Sequence, residues 1–503
     1  MSTHRFGWLC LLALGLVGLA GRAEAEPVRL TPQEAVRRAL RENLGLKLDR
    51  LDPNLTNLSE LIATSAFRPS LFGGVDYADS PGSASTTSDP TRSRSLSGDV
   101  GVRQTFSTGT SLEGKFSTKG AWGGGRGGLD PAYDTGLYLQ ARQALLQGVS
   151  RAANELSLRT ARLTRQSAHA LLERQAELIA ASTLKAYWDL RAAIAKLEIE
   201  KSALQMAEKT LQETEALIGA GKLPGSEKAS AAYTVQTQRR AVLQAEQSLA
   251  NARDRMARII GAVDPRSLDT PELIPISEPR RTHPKWSLPE LQKQALASRG
   301  DYRSLLIATQ IRRLEEGATK HKLLPKLDLL AGLNLTGSSG TPAAGTTSSY
   351  GRSYWSSYAM KRVGWSAGLS LEVPLGNLEP KTRRELALIQ VRRAELSEQI
   401  AIQELSLELN LSWRALQLAR QQLTLTNEAA KIAEVKLQNE TERYKAGKIT
   451  AHILSTVQIE TVKERLSREE KLADLVKSVI DMQSASGGLL SRLGLTAEGE
   501  AAK

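Results

Sequence analysis

Residues 190–222 read LRAAIAKLEIEKSALQMAEKTLQETEALIGAGK, and residues 416–448 read LQLARQQLTLTNEAAKIAEVKLQNETERYKAGK. The first stretch places Leu190, Leu197, Leu204, Leu211 and Ile218 seven apart and ends in Ala220-Gly221-Lys222. An offset of 226 turns these into Leu416, Leu423, Ala430, Leu437 and Tyr444, followed by Ala446-Gly447-Lys448. A seven-residue apolar repeat keeps one seam of a helix against a partner and predicts a left-handed supercoil. The glycines that follow predict a reversal, because the residue after a helix end often needs a positive φ. Return helices carry series of their own: Val235, Val242, Leu249 and Met256 in the first, Ile459, Leu466, Ala473 and Ile480 in the second. Two antiparallel hairpins with tight tips are therefore expected. A plain coiled-coil rod would have the same periodicity.

Outward from these hairpins the whole chain reads as two copies of one design. Gly261 falls on Gly487 at the same offset of 226, whereas Ala39-Leu40 and the segment 67–71 match Ala295-Leu296 and 323–327 at an offset of 256. About 30 extra residues therefore sit in the middle of the first copy. The expected boundaries are a first repeat at 26–263, a Pro-rich linker at 264–285, a second repeat at 286–487 and a tail at 488–503. Each repeat runs helices (32–66, 287–322), strands (about 71–146, about 326–374) and a long helical hairpin (148–260, 380–484). Thr31-Pro32 fits an N-cap with proline in the first turn of a helix running from Gln33 to Arg50. Asp52-Pro53 is expected to interrupt the helices, and Pro69 to end them. A helix of roughly 70 residues from Gly148 would be about 105 Å long, too long for a compact domain.

The strand regions alternate. Val100, Val102 and Gln104 precede a Ser107-Thr108-Gly109-Thr110 turn, then come Leu112, Gly114 and Phe116; Leu137, Leu139, Ala141 and Gln143 share a face of the next strand. In the second repeat Leu327, Leu329, Ala331, Leu333 and Leu335 alternate, as do Trp365, Ala367, Leu369, Leu371 and Val373. Segments of about ten residues, apolar on one face and polar or small on the other, are what a membrane barrel uses. Tyr350, Tyr354, Trp355 and Tyr358 beside the last strand fit aromatics at lipid headgroups. A soluble β-sandwich is the alternative.

Composition narrows the classes. Aromatics make up 4% and the formal net charge is +13. The basic residues are interspersed with acids along the helices and form no stripe, so solvated helix faces are expected and nucleic acid is not. Residues 1–25 read as a secretory signal: Arg5, an apolar run from Trp8 to Ala20, and Ala23-Glu24-Ala25 for cleavage. Removal takes Arg5, Arg22 and Glu24, leaving +12. It also takes the one cysteine, Cys10, whose position inside the run does not suit lipidation. No later segment approaches the roughly 18 apolar residues of a membrane-spanning helix. No catalytic constellation stands out, and no cofactor is expected. His169, His283, His321 and His452 are scattered without metal-ligand spacing. The glycine run at 123–128 lacks the lysine and Ser/Thr of a phosphate-binding loop and reads as an extracellular loop.

The order of elements resembles the TolC family of outer-membrane efflux proteins across nearly all of the expected mature chain. Leu30-Thr31-Pro32-Gln33-Glu34-Ala35 with Ala39-Leu40 and Asn43 is similar to the family's opening motif. Gln143-Ala144-Leu145-Leu146-Gln147-Gly148 is similar to the end of its barrel strand, and Arg443-Tyr444-Lys445-Ala446-Gly447-Lys448-Ile449-Thr450 to its periplasmic tip. The fold this implies is mainly α with transmembrane β: a homotrimeric β-barrel in outer-membrane lipid, continuous with a long periplasmic α-helical barrel. The implied role is a passive duct that works with a periplasmic adaptor and an inner-membrane pump in efflux or type I secretion. A periplasmic coiled-coil scaffold without a barrel, or a secreted enzyme, are the rival classes. The resemblance assigns adaptor docking to the tips, here Gly221, Lys222, Arg443, Tyr444, Gly447 and Lys448. It also implies an acidic ring just after the second tip, but the corresponding positions are His452 and Ser455, so a cation-selective constriction does not carry over. If the helix faces the same way, three His452 side chains would meet there, which predicts an aperture sensitive to pH; an ordinary solvated helix face, with the constriction elsewhere, is the alternative. The family pattern has two strands per repeat. The first repeat here reads as four, at about 71–77, 96–106, 110–118 and 135–146, so six strands per chain and eighteen per trimer are expected, against twelve with a folded-over surface hairpin as the alternative.

Overall fold

The structure, a computed structural model, describes residues 28–81, 92–122, 132–263, 270–279, 286–338, 350–358 and 362–500. The signal sequence, the glycine run at 123–128, His283 and most of the linker lie outside these residues. The first repeat opens with β1 (Val28–Leu30), α1 (Pro32–Glu42), α2 (Leu44–Asp49) and α3 (Leu51–Ser65). It continues through β2 (Ser70–Pro81), β3 (Arg92–Thr105), β4 (Thr110–Trp122) and β5 (Ala132–Ala144), then α4 (Arg151–Asn154), α5 (Leu156–Gly219) and α6 (Ser226–Ile259). The second repeat follows as β6 (Leu273–Pro275), α7 (Leu288–Ser298), α8 (Gly300–His321), β7 (Lys326–Ser338), α9 (Tyr350–Tyr358) and β8 (Val363–Glu372). It ends in α10 (Leu378–Lys445), α11 (Ala451–Ala485) and α12 (Leu489–Leu493).

Local chemistry accounts for the boundaries, including three that differ from expectation. Thr31 caps α1 by accepting from the Glu34 amide at 3.2 Å, with Pro32 in the first turn. That helix does not run to Arg50. Asn43 ends it and starts the next, its Oδ1 accepting from the Leu46 amide at 3.2 Å. Pro53 interrupts nothing, because it lies in the first turn of α3, where a proline removes no helical hydrogen bond. The first long helix starts at Leu156 and not near Gly148, after the short α4 and a break at Glu155.

The chain divides into two compact units. One comprises 51–171 and 300–403. Its centre is an antiparallel sheet in the order β2-β3-β4-β5-β7-β8. The Ser107–Thr110 reversal forms as expected: Gly109 has φ +78°, and the Phe106 amide donates to Thr110 O at 2.8 Å. A difference appears after β7, where a loop was expected and α9 stands. Ser353 is buried and donates to Gly337 O at 2.8 Å, with Thr135 Oγ1 3.0 Å away. Helices in this unit are tied by Glu60 to Arg162 and Arg165 at 3.0 and 3.2 Å, and by Arg313 to Glu395 at 3.1 Å.

The other unit comprises residues up to 50, 172–299 and 404 onward. Parallel β1 and β6 pair from Val28↔Leu273 to Leu30↔Pro275. Leu30, Leu40, Leu46, Tyr187, Leu190, Met256, Ile260 and Leu273 form its main core with Ile480 and Leu489. Tyr187 stays hydrogen-bonded inside it, donating to Leu30 O at 3.1 Å and accepting from the Ser277 amide at 3.0 Å. The twofold design recurs in detail. Asn43 Nδ2 donates to Ile259 O at 3.0 Å, and at the matching position Arg299 Nη1 donates to Ala485 O at 3.4 Å. Gly261 and Gly487 both take positive φ, +68° and +67°. Each return helix thus ends against the C-terminus of its own repeat's opening helix.

The seams hold in part. Leu416, Leu423, Ala430, Leu437 and Tyr444 are all buried, as are Val235, Val242, Leu249 and Met256. In α5 the buried stripe shifts to Ala203, Ala207, Thr210 and Thr214, leaving Leu204, Leu211 and Ile218 half-buried. In α11 Ile459 is exposed and Leu466 half-buried, while Leu454, Val457 and Thr461 face inward. Small residues in the seam let helices approach closely, which sets the interaxial distance. Beside that stripe Glu200 is 6% exposed, and burial pushes its carboxyl up despite Lys196 nearby. A raised carboxyl pKa means the folded state holds the proton more tightly, so stability is lost as pH rises through the raised value. Glu200→Gln is expected to raise the melting temperature at pH 7, with the gap closing at pH 4. An equal gap at both pH values would contradict this.

Candidate functional site: hairpin tips and a two-faced sheet

Both tips use one hydrogen-bond pattern. At the first, Lys222 N donates to Leu217 O at 2.9 Å and Gly221 N to Ile218 O at 2.9 Å, with Gly221 at φ +72°. At the second, Lys448 N donates to Arg443 O at 2.9 Å and Gly447 N to Tyr444 O at 2.8 Å, with Gly447 at φ +68°. This is the Schellman closure that left-handed glycine permits. Both glycines and both lysines are exposed, and a Cβ added at either glycine would meet nothing within 4 Å. Arg443 is also exposed and pairs with Glu440 at 2.8 Å.

Tyr444 differs from the other tip residues: it is 1% exposed. It packs with Leu437, Ala451, Leu454 and Val457, against Leu217 and Leu223 of the first tip. Thr214 commits its hydroxyl proton to Thr210 O at 2.6 Å, so the Tyr444 phenol donates to Thr214 Oγ1 at 2.7 Å. Gln458 Nε2 donates to Thr210 Oγ1 at 2.9 Å, extending the ladder. Glu227 of the first repeat accepts from the Ala451 amide at 2.9 Å, placing a carboxylate at the N-terminus of α11. Of the two residues expected at an aperture, His452 is exposed, whereas Ser455 is 4% exposed and faces inward with its hydroxyl unpaired. Only His452 stands on an open face of the single chain.

Sequence reading missed Thr210, Thr214, Gln458 and Glu227, because each acquires its role from the other repeat. Removing the phenol proton donor with Tyr444→Phe is expected to cost about 1–2 kcal/mol, since a buried hydroxyl loses its partner. Hydrogen exchange at the tips should quicken while that around Tyr187 stays as in the wild type. Equal exchange at the tips would remove the ladder from the account.

In the sheet, register sorts the side chains. Leu71, Val75 and Tyr77 of β2 share a face with Leu96, Val100 and Val102 of β3, Leu112 of β4, and Leu137 and Leu139 of β5. Leu329 and Leu333 of β7 and Trp365, Leu369 and Leu371 of β8 continue it. All of these are exposed, with Leu71 at 77% and Trp365 at 79%. Aromatics gather at one end of this face. Trp122 meets Tyr133 edge-on at 6.5 Å, Tyr133 meets Tyr350 likewise at 6.0 Å, and Trp355 is exposed nearby on α9. The Tyr354 and Tyr358 side chains lie outside those described. The opposite face carries Asp99, Lys115, Gln140, Asn334 and Ser366, with cross-strand pairs Arg103–Glu113 at 2.7 Å, Arg142–Asp328 at 2.6 Å and Lys326–Glu372 at 3.3 Å. Phe72 and Leu330 are apolar exceptions there.

Among the described residues no helix is long and apolar enough to cross a membrane, and no group of three His, Cys, Asp or Glu side chains could hold a metal ion. No known family model matches the sequence, and no curated protein matches it. Solved structures do. The outer-membrane channel CmeC of Campylobacter jejuni is 15% identical with a TM-score of 0.65, the match covering 91% of this chain and 86% of that one. The outer-membrane protein VceC of Vibrio cholerae is 14% identical with a TM-score of 0.63, covering 91% and 96%. The open-state outer-membrane channel MtrE of Neisseria gonorrhoeae is 17% identical with a TM-score of 0.61, covering 91% and 89%. The fold of this chain is that of outer-membrane channels.

Proposed function

We propose that the chain belongs to the TolC family and is one protomer of a homotrimeric outer-membrane duct. Its sheet contributes to a barrel in the outer membrane, and its long hairpins to a periplasmic tunnel. The duct is passive, and a periplasmic adaptor and an inner-membrane pump drive efflux or type I secretion through it. The observation that carries this reading is the sheet: one face apolar and exposed across every strand, the other polar. Water penalises such a face, whereas lipid accepts it. A second support is a seven-residue series on α10, Leu411, Leu418, Leu425 and Ile432, that is exposed in the single chain and suits packing against another copy.

Within this reading Gly221, Lys222, Arg443, Gly447 and Lys448 form the adaptor-docking surface, Tyr444 braces it from within, and His452 faces the periplasmic aperture. The decisive test is migration of the membrane fraction: a heat-modifiable, detergent-dependent trimer in the outer membrane is expected. A soluble elongated species in the periplasm would favour the coiled-coil scaffold. Gly447→Val tests the tips, because valine in a left-handed conformation is strained by about 1–2 kcal/mol. Trimer assembly and insertion should persist while transport and adaptor crosslinking fall at least tenfold. Normal crosslinking in a transport-dead protein would reduce Gly447 to a helix cap.

A further inference from the structure

The sheet has two open edges. Among the described residues β2 is bonded only to β3 and β8 only to β7, leaving free margins of 12 and 10 residues. In hydrocarbon every backbone N–H and C=O needs a partner, so these edges cannot face lipid unpaired. Six strands are too few to close alone, since membrane barrels begin at about eight. With an even number of antiparallel strands, β2 and β8 run in opposite directions, so β8 of one copy can pair antiparallel with β2 of the next.

The strand count is uneven between the repeats: β2 to β5 in the first, β7 and β8 in the second. The surplus is the hairpin β3–β4, and it belongs to the wall along its whole length. It pairs with β2 from Ser70↔Arg103 to Pro81↔Arg92 and with β5 from Thr110↔Gln143 to Ala121↔Ala132. Its outward side chains Val100, Val102 and Leu112 continue the apolar face, and Ser97, Asp99 and Ser117 continue the polar one.

We infer that this hairpin widens the outer end of the duct: three copies close a wall of eighteen strands, and the mouth admits bulky hydrophilic solutes well beyond the size of small-molecule drugs. The inference rests on the channel reading above. With strands about 4.8 Å apart and tilted about 40°, eighteen strands enclose a circle about 36 Å across between backbones, and twelve a circle about 24 Å across. The cross-section therefore roughly doubles. The added polar face interleaves Ser95, Ser97, Ser111 and Ser117 with Asp99, Lys115, Lys119 and the cross-strand Arg103–Glu113 ion pair, so the gained width is lined by hydrophilic side chains.

The experiment compares the full mature chain with a variant lacking residues 92–122. That deletion removes both strands and joins the two outer loops, so β2 falls antiparallel beside β5. Purified trimers are imaged by electron cryomicroscopy, and poly(ethylene glycol) of graded size is added to the outer side of planar bilayers to find the exclusion limit of the mouth. The expected result is a wild-type barrel of eighteen strands whose exclusion radius is about 1.5-fold that of the deletion. An inserted trimeric channel with twelve strands and the hairpin outside the wall would overturn the inference and leave the channel reading intact. Failure of the wild type to insert or trimerise would overturn both. If the deletion variant does not fold, the wild-type strand count and exclusion limit still decide.

Discussion

The double substitution Leu139→Arg with Leu333→Arg is expected to abolish outer-membrane insertion, with trimer falling below detection in the membrane fraction. The two leucines face each other across β5 and β7, near mid-height of the apolar face, and both are exposed in the single chain. An arginine at the midplane of a membrane barrel costs about 2–4 kcal/mol. Two per chain in three chains add about 12–24 kcal/mol, as large as or larger than the roughly 5–15 kcal/mol that holds a typical domain together. Gln140→Arg is the control. It adds the same charge one residue along β5, on the polar face, and should insert normally. The comparison has a sign as well as a size: on a soluble protein, arginines on an exposed apolar face would improve solubility. A heat-modifiable trimer formed by the double variant would remove lipid from the account of this face.

Gly261→Val is expected to be the most damaging single change in the helical unit, costing about 3–5 kcal/mol from left-handed strain and overpacking together. Gly261 has φ +68°, and a Cβ there would come within 2.7 Å of Glu42 Cβ and 2.8 Å of Glu42 O. Both neighbours belong to the end of α1, whose following residue is fixed by the Asn43–Ile259 bond, so relief requires moving backbone. Gly487→Val should cost less. Its two nearest neighbours are side-chain atoms, Ser298 Oγ at 2.8 Å and Arg299 Cγ at 2.9 Å, and the nearest backbone atom, Arg299 N, is further off at 3.1 Å. Gly317→Ala in α8 should run the other way and stabilise by up to about 1 kcal/mol, since nothing lies within 4 Å and alanine is the better helix former. Thermal unfolding of the detergent-solubilised protein orders the three. Gly261→Val melting at or above Gly487→Val would contradict the argument.

Much of the architecture was legible in the residues. The repeated order of elements, both tip reversals and six strands follow from periodicity and glycine placement, because a period of seven or two constrains the backbone locally wherever it occurs. Thr31-Pro32, Gly221 and Gly447 could be read for the same reason: a cap or a left-handed turn is a property of a few neighbouring residues. The segment at 350–358 could not. Its tyrosines and serines have no helical signature, and α9 forms because Ser353 and Tyr350 find partners on β5 and β7.

By itself the sequence determined that this protein is two helix–strand–helix repeats with alternating strands. Only the tertiary structure decided which seam each helix buries, that the strands join in one sheet, and that Tyr444 and Ser455 face inward. The physical reason is that these helices are apolar on more than one side. Leu204 and Ala203 compete for the same interior, as do Leu418 and Leu416, and burial goes to the side that meets a neighbour. Those neighbours come from far along the chain: Thr214 to Tyr444, Thr210 to Gln458, Asn43 to Ile259. Local pattern encodes conformation, but a contact between two repeats has no local signature.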